Sequence, residues 1–155
     1  MTDEDKQDRL NRELIELLNE LRVALPGVQV MFAFMLTVPF SQRFTAVTSS
    51  QKNVFFVAFL CTAAATAFLI APTAYHRIQF RSRDKERMLK TSNALAIVGT
   101  FFLAVALTLV VFVITDILFG APWSQVVAGA TGLLFAALWY ALPLARRGGE
   151  GRSGS

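Results

Sequence analysis

Four long stretches without a charged side chain restrict the fold of this protein more than any other feature. They cover residues 23–42, 53–76, 91–115 and 117–145. A helix on a water-soluble domain carries charge on its outer face. These stretches have no such face, and each reaches the length of about 20 residues that a helix needs to cross a bilayer. The sequence therefore predicts an all-α, four-span transmembrane helical bundle. It argues against a soluble enzyme, a disordered chain and a disulfide scaffold.

The predicted organisation has three parts. A cytoplasmic amphipathic helix over residues 1–25 precedes a transmembrane domain over 26–145, and a Gly- and Ser-rich tail over 146–155 is expected to be disordered. The spans are expected at about 26–44, 53–76, 92–119 and 122–145. Pro26-Gly27 marks the expected step into the first span, because proline lacks a backbone donor.

Leucines of the N-terminal helix form an apolar seam. Leu10, Leu14, Leu17 and Leu21 are spaced by four, three and four residues, which places them on one helical face. Two heptads are too few for an isolated coiled coil, so the seam is expected to pack on something. It packs either on the protein's own bundle or the lipid interface, or on a second copy or a protein partner.

Basic residues predict the orientation in the membrane. The N-terminal segment, the 76–92 connection and the tail hold 13 of the 15 Lys and Arg residues, and the remaining two lie in the 41–53 loop. By the positive-inside rule, both termini are cytoplasmic, and we expect a multi-pass protein of the bacterial cytoplasmic membrane. Arg77, Arg81 and Arg83 are predicted to contact anionic lipid. Nucleic acid is not expected as a partner, because these charges flank spans.

Asp116 is the only acidic residue between Glu86 and Glu150, and it lies near the outer end of the third span. An acid in a span needs a partner or a role, because burying its charge in lipid is costly. Asp116 is either a proton or cation site or an interfacial structural residue satisfied by water or by a partner such as Arg43.

Other polar residues of the spans give two further hypotheses. Asn93, Thr100 and Thr108 lie on a small, polar stripe of the third span, which either packs on a neighbouring helix with its hydroxyls bonded to its own backbone or lines a hydrated pathway. An inner-mouth polar cluster is also considered, and it would consist of Glu20, Gln29 and His76.

Small residues indicate close helix packing. Ala128, Gly132 and Ala136 form a ladder on the fourth span, and the 61–67 run of the second span is small on every side. The pattern does not distinguish contacts within one chain from contacts between chains. Since this surface exceeds what one bundle needs, we expect a homodimer or higher oligomer.

Catalytic and metal-binding motifs are not apparent in the sequence. It contains no nucleophile–base arrangement, P-loop or dinucleotide fingerprint. The single Cys61 and single His76 are too few for a Cys/His metal site within one chain. We therefore expect neither enzymatic activity nor a cofactor or metal.

Two segments resemble a known family. They are ELRVALPGVQVMFAF at residues 20–34 and APTAYHR at 71–77. They are similar to small four-span membrane proteins of unknown function that are common in actinobacteria, some of which carry a sodium/proton antiporter label. The resemblance implies the same topology and brings no site residues. The expected function is a self-associating accessory or structural membrane protein, and the alternative is an oligomeric transporter, perhaps similar to a sodium/proton antiporter.

Overall fold

The fold consists of helices throughout the part of the chain that the structure describes. A computed structural model describes residues 3–78 and 85–142. Its α-helices are α1 (Asp3–Thr37), α2 (Ser49–Ile78), α3 (Lys85–Phe119) and α4 (Trp123–Ala136). Four helical segments are long and apolar enough to cross a membrane, and no strand occurs among the described residues. The predicted all-α, four-span fold is confirmed.

Helix α1 runs without a break from the N-terminal segment into the first apolar stretch, and Pro26 lies inside it. The sequence predicted a step at Pro26-Gly27, whereas the backbone continues as one helix. The cause is packing, because the buried face keeps the same spacing on both sides of the proline. Its members recur every seven residues, and they are Leu14, Leu21, Val28 and Met35.

The connection between α1 and α2 is more ordered than the expected polar loop. Two short 3₁₀ helices, Val38–Phe40 and Gln42–Ala46, follow α1. Helix α2 then begins at Ser49, four residues before the predicted span. Thr48 starts it early by acting as its N-terminal cap, because the Gln51 backbone N–H donates to the Thr48 hydroxyl at 3.3 Å.

The predicted tight turn between the third and fourth spans is present. Gly120 adopts a left-handed conformation with φ of 70°, and its N–H donates to the Asp116 carbonyl at 3.0 Å. This arrangement ends α3 at Phe119, as glycine commonly does at a helix C-terminus. Helix α4 starts at Trp123, four residues later, and a π-helical turn, Ala137–Ala141, follows it. The last predicted span residues, 143–145, and the tail 146–155 lie outside the described residues.

Contacts divide the chain into two units that both include parts of α2 and α3. The first unit comprises Met1–Thr45 and Phe59–Leu103. Its core contains Leu21 and Val28 of α1 with Ala65 and Leu69 of α2, and residues of α3 such as Ala96 pack against it. The N-terminal leucine seam therefore packs on this chain's own helices, which is the first of the two predicted alternatives.

The second unit comprises Ala46–Ala58 and Ala104–Ser155. Its buried residues are mostly small. They include Ala58, Ala106, Ser124 and Ala128. Small residues let helix backbones approach closely, which is the main source of attraction between apolar helices in lipid. Helix α4 contributes only Ser124 and Ala128 to the buried set.

Candidate functional site

The carboxylate of Asp116 forms two hydrogen bonds with neutral side chains. Gln51 Nε2 donates to Oδ2 at 2.7 Å, and the Ser124 hydroxyl donates to Oδ1 at 3.0 Å. Ser124 is only 1% exposed, whereas Asp116 and Gln51 are half-buried. Each carboxylate oxygen thus receives a donor, and the two donors come from different helices.

The N-terminus of α2 fixes the orientation of the Gln51 amide. The Thr48 backbone N–H donates to Gln51 Oε1 at 3.0 Å and completes a capping box with the Gln51 N–H bond to the Thr48 hydroxyl. Because Oε1 accepts from a backbone N–H, the amino group of the same amide must face Asp116. The acidic side chain therefore meets a hydrogen-bond donor at Oδ2.

Three helix ends meet at Asp116 through these bonds. Asp116 lies in the last turn of α3, Gln51 in the first turn of α2 and Ser124 in the first turn of α4. The N-terminal turn of a helix carries partial positive charge from its unpaired N–H groups, which favours a nearby carboxylate. The arrangement matches the structural alternative for Asp116. The sequence named Arg43 as a candidate partner, and its side chain lies outside the described part of the structure.

Hydroxyls on the polar stripe of α3 bond to the backbone of their own helix. Thr100 Oγ1 donates to the Ile97 carbonyl at 2.9 Å, and Thr108 Oγ1 donates to the Ala104 carbonyl at 2.8 Å. Such bonds satisfy a hydroxyl without water. They agree with the packing alternative for this stripe and give the hydrated-pathway alternative no support.

The predicted inner-mouth cluster is not brought together by α1. Glu20 and Gln29 are both exposed and lie nine residues apart on one continuous helix. At 3.6 residues per turn, this separation places them on roughly opposite faces. The side chain of His76 lies outside the described part of the structure. Glu20 and Gln29 therefore do not converge on one site.

The small-residue ladder of α4 faces the same chain at its centre. A Cβ atom on Gly132 would lie 3.5 Å from Thr108 Cγ2 of α3. Ala128 is buried and Ala136 is exposed. At Gly132 the contact is therefore within the chain, which the sequence pattern alone did not decide. Of the three arginines predicted to bind anionic lipid, Arg77 is exposed, while Arg81 and Arg83 lie outside the described residues.

Comparison with known proteins gives a family assignment. The sequence profile of a family of unknown function, DUF6328, matches residues 3–143. The chain belongs to this family. No curated protein and no solved structure matches the chain. Membership agrees with one part of the resemblance seen at residues 20–34 and 71–77, namely that the family is one of unknown function. It does not bear on the actinobacterial distribution or the antiporter label.

In this DUF6328 protein, sequence reasoning identified Asp116 but missed both of its partners. A signal for Gln51 was present, since Thr48 and Gln51 have the spacing of a capping box, and such a box places Gln51 in the first turn of a helix. Ser124 follows the turn at Gly120, eight residues after Asp116. Its proximity depends on how α4 returns beside α3, which no local pattern records.

The chemistry available at Asp116 is that of a single carboxylate held by neutral donors. Among the described residues, no group of three or more His, Cys, Asp or Glu side chains is placed to hold a metal ion. Neither Gln51 nor Ser124 is a base that would take a proton from a substrate. The arrangement connects the ends of three helices through one carboxylate.

Proposed function

We propose that this protein is a non-enzymatic accessory or structural membrane protein that self-associates through the exposed face of α1 around Gln29. The observation that carries the proposal is the exposure of Gln29 inside an apolar span. Its neighbour Val28 belongs to the buried core, so Gln29 points away from the side of α1 that packs on α2 and α3. No hydrogen bond joins its amide to another described residue.

The depth of Gln29 follows from the helices beside it. Val28 lies in one cluster with Leu69, and Leu69 contacts Gly99, where a Cβ atom would lie only 2.7 Å from Leu69 Cγ. Gly99 is seven residues beyond the predicted start of the third span, or about 10 Å along the helix axis. We infer from this chain of contacts and the predicted start of the third span that Gln29 lies inside the hydrocarbon layer.

An amide at this depth favours association with another helix. Hydrocarbon offers no hydrogen-bond partner, so the amide is better satisfied by a polar group of a second protein chain. The amide of Gln has both donors and an acceptor, which lets two copies of Gln29 bond to each other across a symmetric interface. Interhelical bonds of this kind contribute about 0.6–2 kcal/mol in membranes.

This location replaces the interface that the sequence favoured. The ladder on α4 and the 61–67 run of the second span were the small-residue surfaces from which an oligomer was expected, and the central Gly132 of the ladder packs against Thr108 of the same chain. Val30 and Phe34 on the exposed side of α1 offer apolar contact beside Gln29. The proposed oligomer contact is therefore on the first span.

An oligomeric transporter, including one of the sodium/proton antiporter type, is the competing function. It would use Asp116 as its ion or proton site. The hydrogen bonds from Gln51 and Ser124 instead support a structural role for that carboxylate. The backbone bonds of Thr100 and Thr108 likewise support packing.

Self-association is tested by single-molecule photobleaching of labelled protein in bilayers. Gln29→Leu should weaken the oligomer by about threefold to thirtyfold in its dissociation constant, which corresponds to about 0.6–2 kcal/mol. Gln29→Asn should retain most of the association, and Val30→Leu serves as an apolar control on the same exposed surface. A monomeric wild type, or an oligomer indifferent to Gln29→Leu, would contradict the proposal.

Transport is tested separately by ion and proton flux into proteoliposomes. The structural proposal predicts no flux above that of empty vesicles under a proton gradient or a series of cation gradients. Flux that disappears in Asp116→Asn would establish the competing function. The unfolding free energy of the variant, measured in parallel, separates lost transport from a lost fold.

The proposed orientation keeps both termini in the cytoplasm. It rests on the 13 basic residues in the N-terminal segment, the 76–92 connection and the tail. Thr48→Cys and Glu150→Cys should be labelled by impermeant reagents from opposite sides of the membrane, in a Cys61→Ala background. Labelling of both positions from outside would reverse the assignment of the C-terminus.

A further inference from the structure

Pro26 leaves one backbone carbonyl of α1 without its usual hydrogen-bond donor. In an α-helix, the carbonyl of each residue accepts from the N–H four residues further along the chain. Pro26 lies inside α1 and has no N–H, so it cannot donate to the carbonyl of Arg22. Arg22 and Pro26 are both exposed, which places this carbonyl on the outer side of the helix. The carbonyl is therefore an acceptor that a group from outside the chain can reach.

The same side of α1 carries the exposed amide of Gln29. Seven residues, or almost two full turns, separate Arg22 from Gln29, and Pro26 lies between them within about 60° of each around the helix axis. The core residues Leu21 and Val28 face the helices of the first unit instead. One outward face of α1 thus presents both an amide and a carbonyl freed by proline.

The two groups extend toward the same height. Helical side chains tilt toward the N-terminus of their helix, whereas helical carbonyls point toward its C-terminus. The missing donor would be at Pro26, which is three residues, or about 4.5 Å along the axis, from Gln29. An extended glutamine side chain is long enough to cover this height. The Gln29 amide and the Arg22 carbonyl therefore reach one level of the bilayer.

We propose that, in the oligomer described under the proposed function, the Gln29 amide of one copy donates to the Arg22 backbone carbonyl of a second copy. Both copies have the same orientation in the membrane, so a two-fold axis between them is parallel to the membrane normal, and the two α1 helices run in the same direction. Each copy then provides one donor and one acceptor, and the bond forms twice.

This bond adds to the one between the two Gln29 side chains, because an amide has two N–H donors. The inference rests on the proposed self-association through Gln29 and assigns a backbone partner to that contact. The Arg22 side chain does not cover the carbonyl, since it tilts toward the N-terminus and extends its charge toward the head groups.

A second copy fits this surface better than the surrounding lipid does. Acyl chains offer no polar group, and the ester groups of a phospholipid are acceptors only, so neither can bond to a free carbonyl. A second copy offers a donor and an acceptor at matching heights, because the two-fold axis places identical groups level with each other. Water at the carbonyl is the competing partner, and it would make the carbonyl irrelevant to association.

The test restores the missing donor within the helix. Pro26→Ala supplies an N–H to the Arg22 carbonyl, so that carbonyl is satisfied in the monomer and no longer favours the oligomer. Single-molecule photobleaching of the full chain in bilayers should show a dissociation constant raised by about threefold to tenfold. Pro26→Ala combined with Gln29→Leu should associate no more weakly than Gln29→Leu alone, because both changes remove the same bond.

Two further variants control for side chain and helix direction. Arg22→Gln retains the backbone carbonyl and should not raise the dissociation constant. Pro26→Gly restores the same N–H on a more flexible backbone and should weaken association as Pro26→Ala does. Thermal unfolding should show that every variant is folded. An effect confined to one of the two Pro26 variants would overturn the inference, because it would reflect helix direction.

The outcomes separate this inference from the proposed function. If Pro26→Ala associates as tightly as the wild type, or if its effect adds to that of Gln29→Leu, the carbonyl has no part in the contact and the inference is wrong, while self-association through Gln29 stands. A monomeric wild type, or an oligomer indifferent to Gln29→Leu, would overturn both.

Discussion

The two units of the molecule differ in the kind of contact that joins the helices within each one. In the first unit, α2 and α3 approach so closely at Gly99 that a Cβ atom there would lie 2.7 Å from Leu69 Cγ and 3.2 Å from the Leu69 backbone nitrogen. In the second unit, Gly132 has room for a Cβ atom, with its nearest neighbour at 3.5 Å. There, hydrogen bonds to Asp116 connect the helix ends.

The difference shows two ways in which helices associate in lipid. Lipid tails are as apolar as leucine, so burial of apolar surface supplies little net attraction there. Close backbone packing and interhelical hydrogen bonds remain as attractive forces. Close packing occurs in both units, at Gly99 in the first and among Ala58, Ala106 and Ala128 in the second, and the second unit adds polar bonds at one end.

The largest expected effect comes from filling the close contact in the first unit. Gly99→Leu forces α2 and α3 apart, because its Cβ alone overlaps Leu69. We expect a loss of roughly 3 kcal/mol or more in unfolding free energy. Steric-trapping measurements in bicelles would determine it. Gly129→Leu is the control, since Gly129 is exposed with no atom within 4 Å of the added Cβ. Equal losses in both variants would remove the distinction between the units.

Breaking the polar contact should have the next largest effect. Asp116→Ala leaves the Gln51 amino group and the Ser124 hydroxyl without their acceptor, which should cost about 1–3 kcal/mol. Asp116→Asn keeps one carbonyl oxygen and should lose less. Thermal unfolding in detergent would rank the two variants. If Asp116→Ala were as stable as the wild type, the hydrogen bonds to Asp116 would not hold the second unit together.

A variant of Gln51 can distinguish the contribution of helix capping to stability from that of the bond to Asp116. Gln51→Glu retains an acceptor for the Thr48 N–H but places a second carboxylate where Nε2 now lies 2.7 Å from Asp116. Repulsion between like charges should destabilise the protein by about 1–2 kcal/mol. Gln51→Glu combined with Asp116→Asn should recover part of that loss. A double-mutant cycle followed by thermal unfolding measures the coupling, and additive effects would contradict a direct contact.

The smallest effect is expected at the looser glycine. In Gly132→Ala, the new methyl group makes ordinary contact with Thr108, and alanine also favours the helical backbone. We expect the unfolding free energy to rise by up to about 1 kcal/mol. The corresponding Gly99→Ala should instead be destabilising by about 1–3 kcal/mol. Similar values at both positions would show that packing is equally close in the two units.

Heptad spacing explains how much of the packing could be predicted. The leucine seam at Leu14 and Leu21 was evident in the sequence, and the structure continues it to Val28 and Met35. On α3, buried residues recur at the same interval in Ser92, Gly99 and Ala106. This second seam was not recognised because its residues are small or polar, and hydropathy does not distinguish them from the neighbouring lipid-facing positions.

The sequence by itself determined the number of membrane-spanning helices and the tight turn at Gly120, and it singled out Asp116 as the one acidic residue of the third span. These properties depend on charge, length and backbone preferences, which are local. Only the tertiary structure decided that α1 continues through Pro26, that Gly132 faces its own chain and that Gln51 and Ser124 hold Asp116. The physical reason is that each depends on which faces of separate helices meet. In an apolar span, most faces have similar hydropathy, so their pairing is fixed by fit and by hydrogen bonds between residues distant in the chain.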